Sequence, residues 1–152
     1  MAHNKETKIR FFNEGIKYKV KNIRVLRLWI TTCANRESKQ IGDINFIFCD
    51  DSYLLNINRE YLKHNFLTDI ITFNNSENNS IISGDIFISI DRAKENAALF
   101  KQTTKKEVRR LLVHGLLHLI GYSDKTTKAK KVMRELEDTC LEMLIKNNPT
   151  LR

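Results

Sequence analysis

Two histidines four residues apart, His114 and His118, lie in an apolar run that continues through Gly121 to Asp124. Residues at that spacing share one face of a helix, about one turn apart, so both imidazoles reach a common point. Gly121 is suited to the left-handed conformation that ends a helix. The chain can then turn back and offer Asp124 as a third ligand. Two neutral imidazoles and one carboxylate leave a fourth coordination position open, the pattern of a catalytic metal site more than a structural one. The spacing predicts one zinc ion per chain, held by His114, His118 and Asp124, with a free position where the ion can acidify a bound water.

Several elements must position these groups. Thr104 with Glu107 reads as a capping box that opens the histidine helix. Before it, Ile9 to Phe12 reads as a short strand and Ile23 to Ala34 as an amphipathic helix. Ile41 to Cys49 is a strand with Ile44, Phe46 and Phe48 on one face. Asp50 or Asp51 caps a helix running to Tyr61. Ile70 to Phe73 and Gly84 to Ile90 are strands separated by the polar loop Asn74 to Ser80. Asp91 caps a helix towards Phe100, and a last helix runs from about Thr127 to Lys146. No internal repeat or linker interrupts the pattern. The expectation is an α/β (α+β) fold over residues 1–152, one domain with a small mixed sheet and helices mainly on one side.

Composition narrows the setting. A chain of 152 residues fits one core. It has no apolar stretch long enough to span a bilayer, and its first eight residues lack the apolar region of a signal peptide. Cys33, Cys49 and Cys140 are odd in number and form no CxxC pair, which suits a reducing cytoplasm. The net charge of +8 favours a polyanionic partner, nucleic acid or an anionic surface. Lys101, Lys105, Lys106, Arg109 and Arg110 precede the histidines, and Lys125, Lys128, Lys130, Lys131 and Arg134 follow Asp124. Basic residues therefore bracket the site in sequence, although some must be solvated helix faces.

The spacing H-x-x-x-H-x-x-G-x-x-D is similar to the long zinc motif of metzincin peptidases. Those enzymes place a Glu after the first histidine as general base. Gly115 stands there instead and cannot accept a proton. A glycine in mid-helix costs about 1 kcal/mol against alanine, so close approach of another element or room beside the metal must justify it.

The run His114 to Asp124, HGLLHLIGYSD, resembles the H-G-x-L-H-L-x-G-Y-D-H signature of the bacterial YbeY family. Asn58 to Tyr61, Leu67 to Phe73 and Gly84 to Ile88 are similar to the family's N-x-x-Y-R, P-T-D-V-L-S-F and G-D-I-x-I segments, in the same order and at matching separations. The resemblance implies a zincin-like core, zinc on three protein ligands, and a single-strand endoribonuclease acting in late maturation of the 3′ end of small-subunit (16S) rRNA. Its partners would be ribosomal RNA, the small subunit and its assembly proteins, with no membrane. Whether water or an RNA 2′-hydroxyl is the attacking group is not set by the sequence.

Two departures from the family pattern bear on the site, one in the metal motif and one in the cleavage residue. Asp124 replaces its third histidine, and Ser123 its Asp. An aspartate oxygen still binds zinc, but the set becomes more negative and favours harder ions. Leu62 replaces the Arg that follows the family's Tyr and is implicated in RNA cleavage. Arg59, Lys63 and His64 lie near enough in sequence to supply that charge. Tyr61, Phe66 and Tyr122 are expected to pack into the core, with base stacking as the alternative role.

Other functional classes compete. They are a ribosome assembly factor with a mainly structural metal, a metallopeptidase without its base, and a non-haem iron oxygenase using two histidines and a carboxylate.

Overall fold

The computed structural model describes residues 8–152. Four strands, β1 (Ile9–Asn13), β2 (Gln40–Cys49), β3 (Ile70–Asn74) and β4 (Ile81–Ser89), form one sheet in the order β1-β2-β4-β3. β1, β2 and β4 run parallel, and β3 lies antiparallel to β4 at one edge. Five helices accompany them: α1 (Ile23–Arg36), α2 (Asp51–Leu62), α3 (Ile90–Leu99), α4 (Thr104–Ile120) and α5 (Thr127–Asn147).

The period-2 alternation of strands sorts the side chains onto two faces. Phe46 and Phe48 of β2 stand in register with Ile86 and Ile88 of β4 and point into the main core. There they meet Leu26 and Ile30 of α1 and the apolar side of α4, including Leu111, Leu112 and Leu116, none of which sees solvent. Each such leucine contributes about 1.5–3 kcal/mol through burial. The opposite face carries a smaller cluster, Leu54 and Ile57 of α2 against Cys49 and Ile71. Helices thus lie mainly on one side of the sheet, as expected, with α2 covering part of the other. Trp29 Nε1 donates to the Cys140 carbonyl at 2.6 Å and ties α1 to α5. The three cysteines are free and buried.

The helix starts differ from expectation in instructive ways. α4 is capped by Thr103, whose hydroxyl accepts from Lys106 N at 3.2 Å, not by Thr104. Glu107 is then one position too late for a capping box, and it is buried against Arg110 instead. α3 is capped by Ser89 rather than Asp91. Asp91 has turned to α2, where it accepts from Asp51 N at 2.9 Å. Of the two candidates for α2, Asp50 caps. β4 begins at Ile81 rather than Gly84, because Ile81 and Ile82 still pair with Gln40 and Ile41 across the sheet.

Candidate metal centre

α4 crosses the sheet at Gly115. A Cβ there would lie 2.7 Å from Ile86 Cγ2 and 3.0 Å from Ile70 Cδ1, so only glycine lets the helix backbone sit this close to β3 and β4. Close approach is therefore the reason for the mid-helix glycine. The two histidines flanking that contact line a cleft beside edge strand β3, together with Ile70, Ile71 and Thr72. Gly121 ends the helix with φ 121°, and its N–H and that of Tyr122 return to the Leu117 carbonyl at 3.1 and 3.0 Å. This reversal swings Asp124 back over the two rings.

The three residues named from the spacing are brought together. His114 Nε2 and His118 Nε2 lie 3.0 Å apart, and Asp124 Oδ2 lies 3.4 Å from each. The donor atoms fall within 4.8 Å of one another and could hold a metal. The chemistry of the set supports that fit. His114 Nδ1 faces Glu137 Oε2 at 2.7 Å, and His118 Nδ1 faces the Tyr122 carbonyl at 3.0 Å. Both partners only accept, so each ring proton is assigned to Nδ1. Two bare ring nitrogens and a carboxylate oxygen then converge with no hydrogen between them, a repulsive arrangement that a cation relieves. Burial, followed by the neighbouring His114, holds His118 below the ordinary histidine range, which favours the neutral ligating form.

Glu137 is the residue that sequence reasoning missed. It is 2% exposed on α5 and belongs to a buried chain of charges. Arg110 Nη1 donates to it at 3.0 Å and also pairs with Glu107. Burial alone would raise the Glu137 carboxyl, but His114 and Arg110 outweigh it and hold the group below its usual range. Burial likewise works against the charge on Arg110, yet its two carboxylates win and raise its pKa. Such a carboxylate fixes ring orientation and tautomer and strengthens the histidine as a ligand. One sequence signal existed: Glu137 interrupts the buried stripe Met133, Cys140 and Leu144 of α5.

The three converging side chains sit in a cleft of about 300 Å³ lined also by Leu62, His64, Phe66, Thr68 and Thr72. Its outer wall is the segment between α2 and β3. Buried Asn58 secures that wall by donating to the Phe66 carbonyl at 2.9 Å. Of the three candidate cations, His64 alone lines the cleft. Its ring stacks on Phe66, with centroids 5.1 Å apart and planes 21° from parallel. Arg59 bonds Asn65, and Lys63 ends α2 in the left-handed conformation at φ 58°; neither lines the cleft. Leu62, at the position of the family's Arg, does. The expected core packing of the aromatics fails for two of three. Tyr61 and Phe66 are 62% and 57% exposed, because α2 and the segment after it lie at the sheet edge. Tyr122 is half-buried against the core and donates its hydroxyl to Glu37 at 2.6 Å.

A family profile described as Endoribonuclease YbeY matches residues 6–145. The chain belongs to the YbeY family. A curated member from Cytophaga hutchinsonii, named Endoribonuclease YbeY, is 52% identical over 91% of this chain and 97% of its own length. Members of the same name from Karelsulcia muelleri and Flavobacterium psychrophilum are 45% and 42% identical, covering 93% and 90% of this chain and 93% and 98% of their own. A solution structure from Thermotoga maritima shares the fold, with a TM-score of 0.64 at 24% identity over 93% of this chain and 92% of that one. YbeY membership thus rests on nearly the whole chain, the metal motif and the cleft wall included. Among the described residues no helix is long and apolar enough to cross a membrane.

Proposed function

We propose that this chain, read over 1–152 as one catalytic domain, is a zinc-dependent endoribonuclease. Its substrate is single-stranded RNA, and its biological target the 3′ end of small-subunit (16S) rRNA during late ribosome assembly in the cytoplasm. The carrying observation is the convergence of His114 Nε2, His118 Nε2 and Asp124 Oδ2 in an open cleft. The family's name, Endoribonuclease YbeY, supplies the class of substrate.

A zinc ion bound there supplies Lewis-acid chemistry, polarising a phosphoryl oxygen and lowering the pKa of water. The chain's residues do the rest. Glu137 and the Tyr122 carbonyl keep the ring protons on Nδ1 and both Nε2 lone pairs facing the cleft. The His64–Phe66 pair offers a flat surface for an unpaired base, which a duplex would not present. His64, in the cleft, is the side chain placed to offset charge on the scissile phosphate, while Arg59 and Lys63 sit outside and contact flanking phosphates. With Gly115 in place of a general base, peptide cleavage has no proton acceptor at that position. The buried free cysteines suit the reducing cytoplasm.

Leu62 supports a second reading. An apolar side chain where the family pattern has Arg weakens the cleavage step and leaves an assembly factor whose metal is mainly structural. Complementation separates the two. In cells depleted of the protein, small-subunit RNA with an unprocessed 3′ end should accumulate, and wild type but not His114→Ala should clear it. Clearance by a folded His114→Ala protein would favour the assembly-factor reading.

A further inference from the structure

Arg109 carries a charge that the metal cleft does not use. It is 5% exposed, and its Nη1 donates to the Leu151 carbonyl at 2.7 Å. Among the described residues no carboxylate pairs with it, whereas the neighbouring Arg110 has two. Burial lowers its pKa, as expected of a cation without a counterion. Arg109 also forms the shared wall of two cavities, of about 550 and 270 Å³, at the start of α4. The larger has no lining residue in common with the metal cleft.

The lining of the larger cavity defines its occupant. Its floor is aliphatic, from Leu141, Leu144 and Ile145 of α5. Lys106, Lys146 and Arg152 stand around it with Arg109, against one acidic side chain, Glu142. Four cationic side chains to one acidic one call for a negatively charged partner. No aromatic side chain lines this cavity, so unpaired bases have nothing to stack on, and the aliphatic floor contributes nothing to phosphate binding. A carboxylate beside Arg109 would relieve a buried unpaired charge, and an aliphatic side chain would fill the floor.

We infer that the groove between the start of α4 and the end of α5 is a docking site for a short acidic peptide segment of a partner protein, anchored by an aliphatic side chain on Leu144 and Ile145 and by a carboxylate on Arg109. The site is independent of the metal cleft and of the RNA reading.

The test titrates the full-length, zinc-loaded protein into a fluorescein-labelled hexapeptide of alternating Leu and Asp and follows anisotropy. Saturable binding is expected. Replacing the peptide's Leu residues by Ser should weaken it by about tenfold or more. Arg109→Met should do the same. Because that change touches the core, the exposed double variant Lys106→Glu/Lys146→Glu is measured beside it and should also lose about tenfold. No binding, equal binding of the Ser peptide, or undiminished affinity in the double variant would overturn the inference. So would displacement of the peptide by a single-stranded oligouridylate, which would give the groove to RNA.

Discussion

A Cβ on Gly115 would stand 2.7 Å from Cγ2 of Ile86, a methyl on a fully buried, β-branched side chain that would have to shift. The glycine is therefore the contact point that seats α4 on the sheet, with His114 and His118 on either side of it in sequence. Gly115→Ala gains about 1 kcal/mol of helix propensity and meets an overpacking cost of about 1–3 kcal/mol. The net expectation is a lower Tm and weaker metal retention together. Chemical denaturation and metal content of the same preparation check it; an alanine variant as stable as wild type would show that Ile86 gives way.

Glu137→Gln keeps the shape of the side chain but exchanges a buried carboxylate for an amide against His114 Nδ1 and Arg110. Metal affinity should fall by about 10- to 100-fold, as for other carboxylates that orient a ligating histidine. Competition with a chromophoric chelator measures this directly. Asp138→Asn, on the exposed side of α5, serves as control and should leave affinity unchanged.

Leu62 lines the cleft where the family pattern has Arg. Leu62→Arg should raise the rate of single-strand cleavage by about tenfold through charge aimed at the phosphate. His64→Ala should lower the wild-type rate. Its effect should shrink in the Leu62→Arg background if the two side chains serve the same phosphate. A double-mutant cycle of initial rates reads that coupling; strictly additive effects would assign His64 to stacking on Phe66 instead.

RNA binding should fall steeply with salt, because a chain of net charge +8 binds phosphates by releasing counterions. Affinity for a single-stranded oligonucleotide should drop by an order of magnitude from about 50 to 200 mM salt. A flat response in anisotropy titrations would place the weight of binding on stacking rather than on lysine and arginine.

The convergence of His114, His118 and Asp124 was legible in sequence because it is local: helical periodicity places His114 and His118, and a glycine stop brings in Asp124. The strand faces were legible for the same reason, with Phe46 and Phe48 alternating in β2. The supporting shell was not. Glu137 reaches His114 across 23 positions, and only the packing of α5 on α4 brings them together. The cleft wall was half legible. Arg59, Lys63 and His64 are neighbours in sequence, but the left-handed turn at Lys63 sends His64 into the cleft. Cap positions slipped by one or two residues where adjacent polar side chains, Thr103 and Thr104 or Ser89 and Asp91, compete for the same N–H groups. The basic bracket was also only partly informative: Arg110 is spent within the core, and Lys106 and Arg109 face a different cavity.

The proposed function requires a metal held by His114, His118 and Asp124 for the cleavage of single-stranded RNA. The most direct measurement is cleavage of an end-labelled single-stranded RNA by the purified chain before chelation, after chelation and after zinc is restored, with His118→Ala carried through the same purification. Wild type is expected to cleave the single strand and spare a duplex, to stop when the metal is removed, and to recover when zinc is added back; His118→Ala is expected to be inactive throughout while remaining folded. Cleavage that survives chelation, or that a folded His118→Ala protein performs at the wild-type rate, would contradict the account.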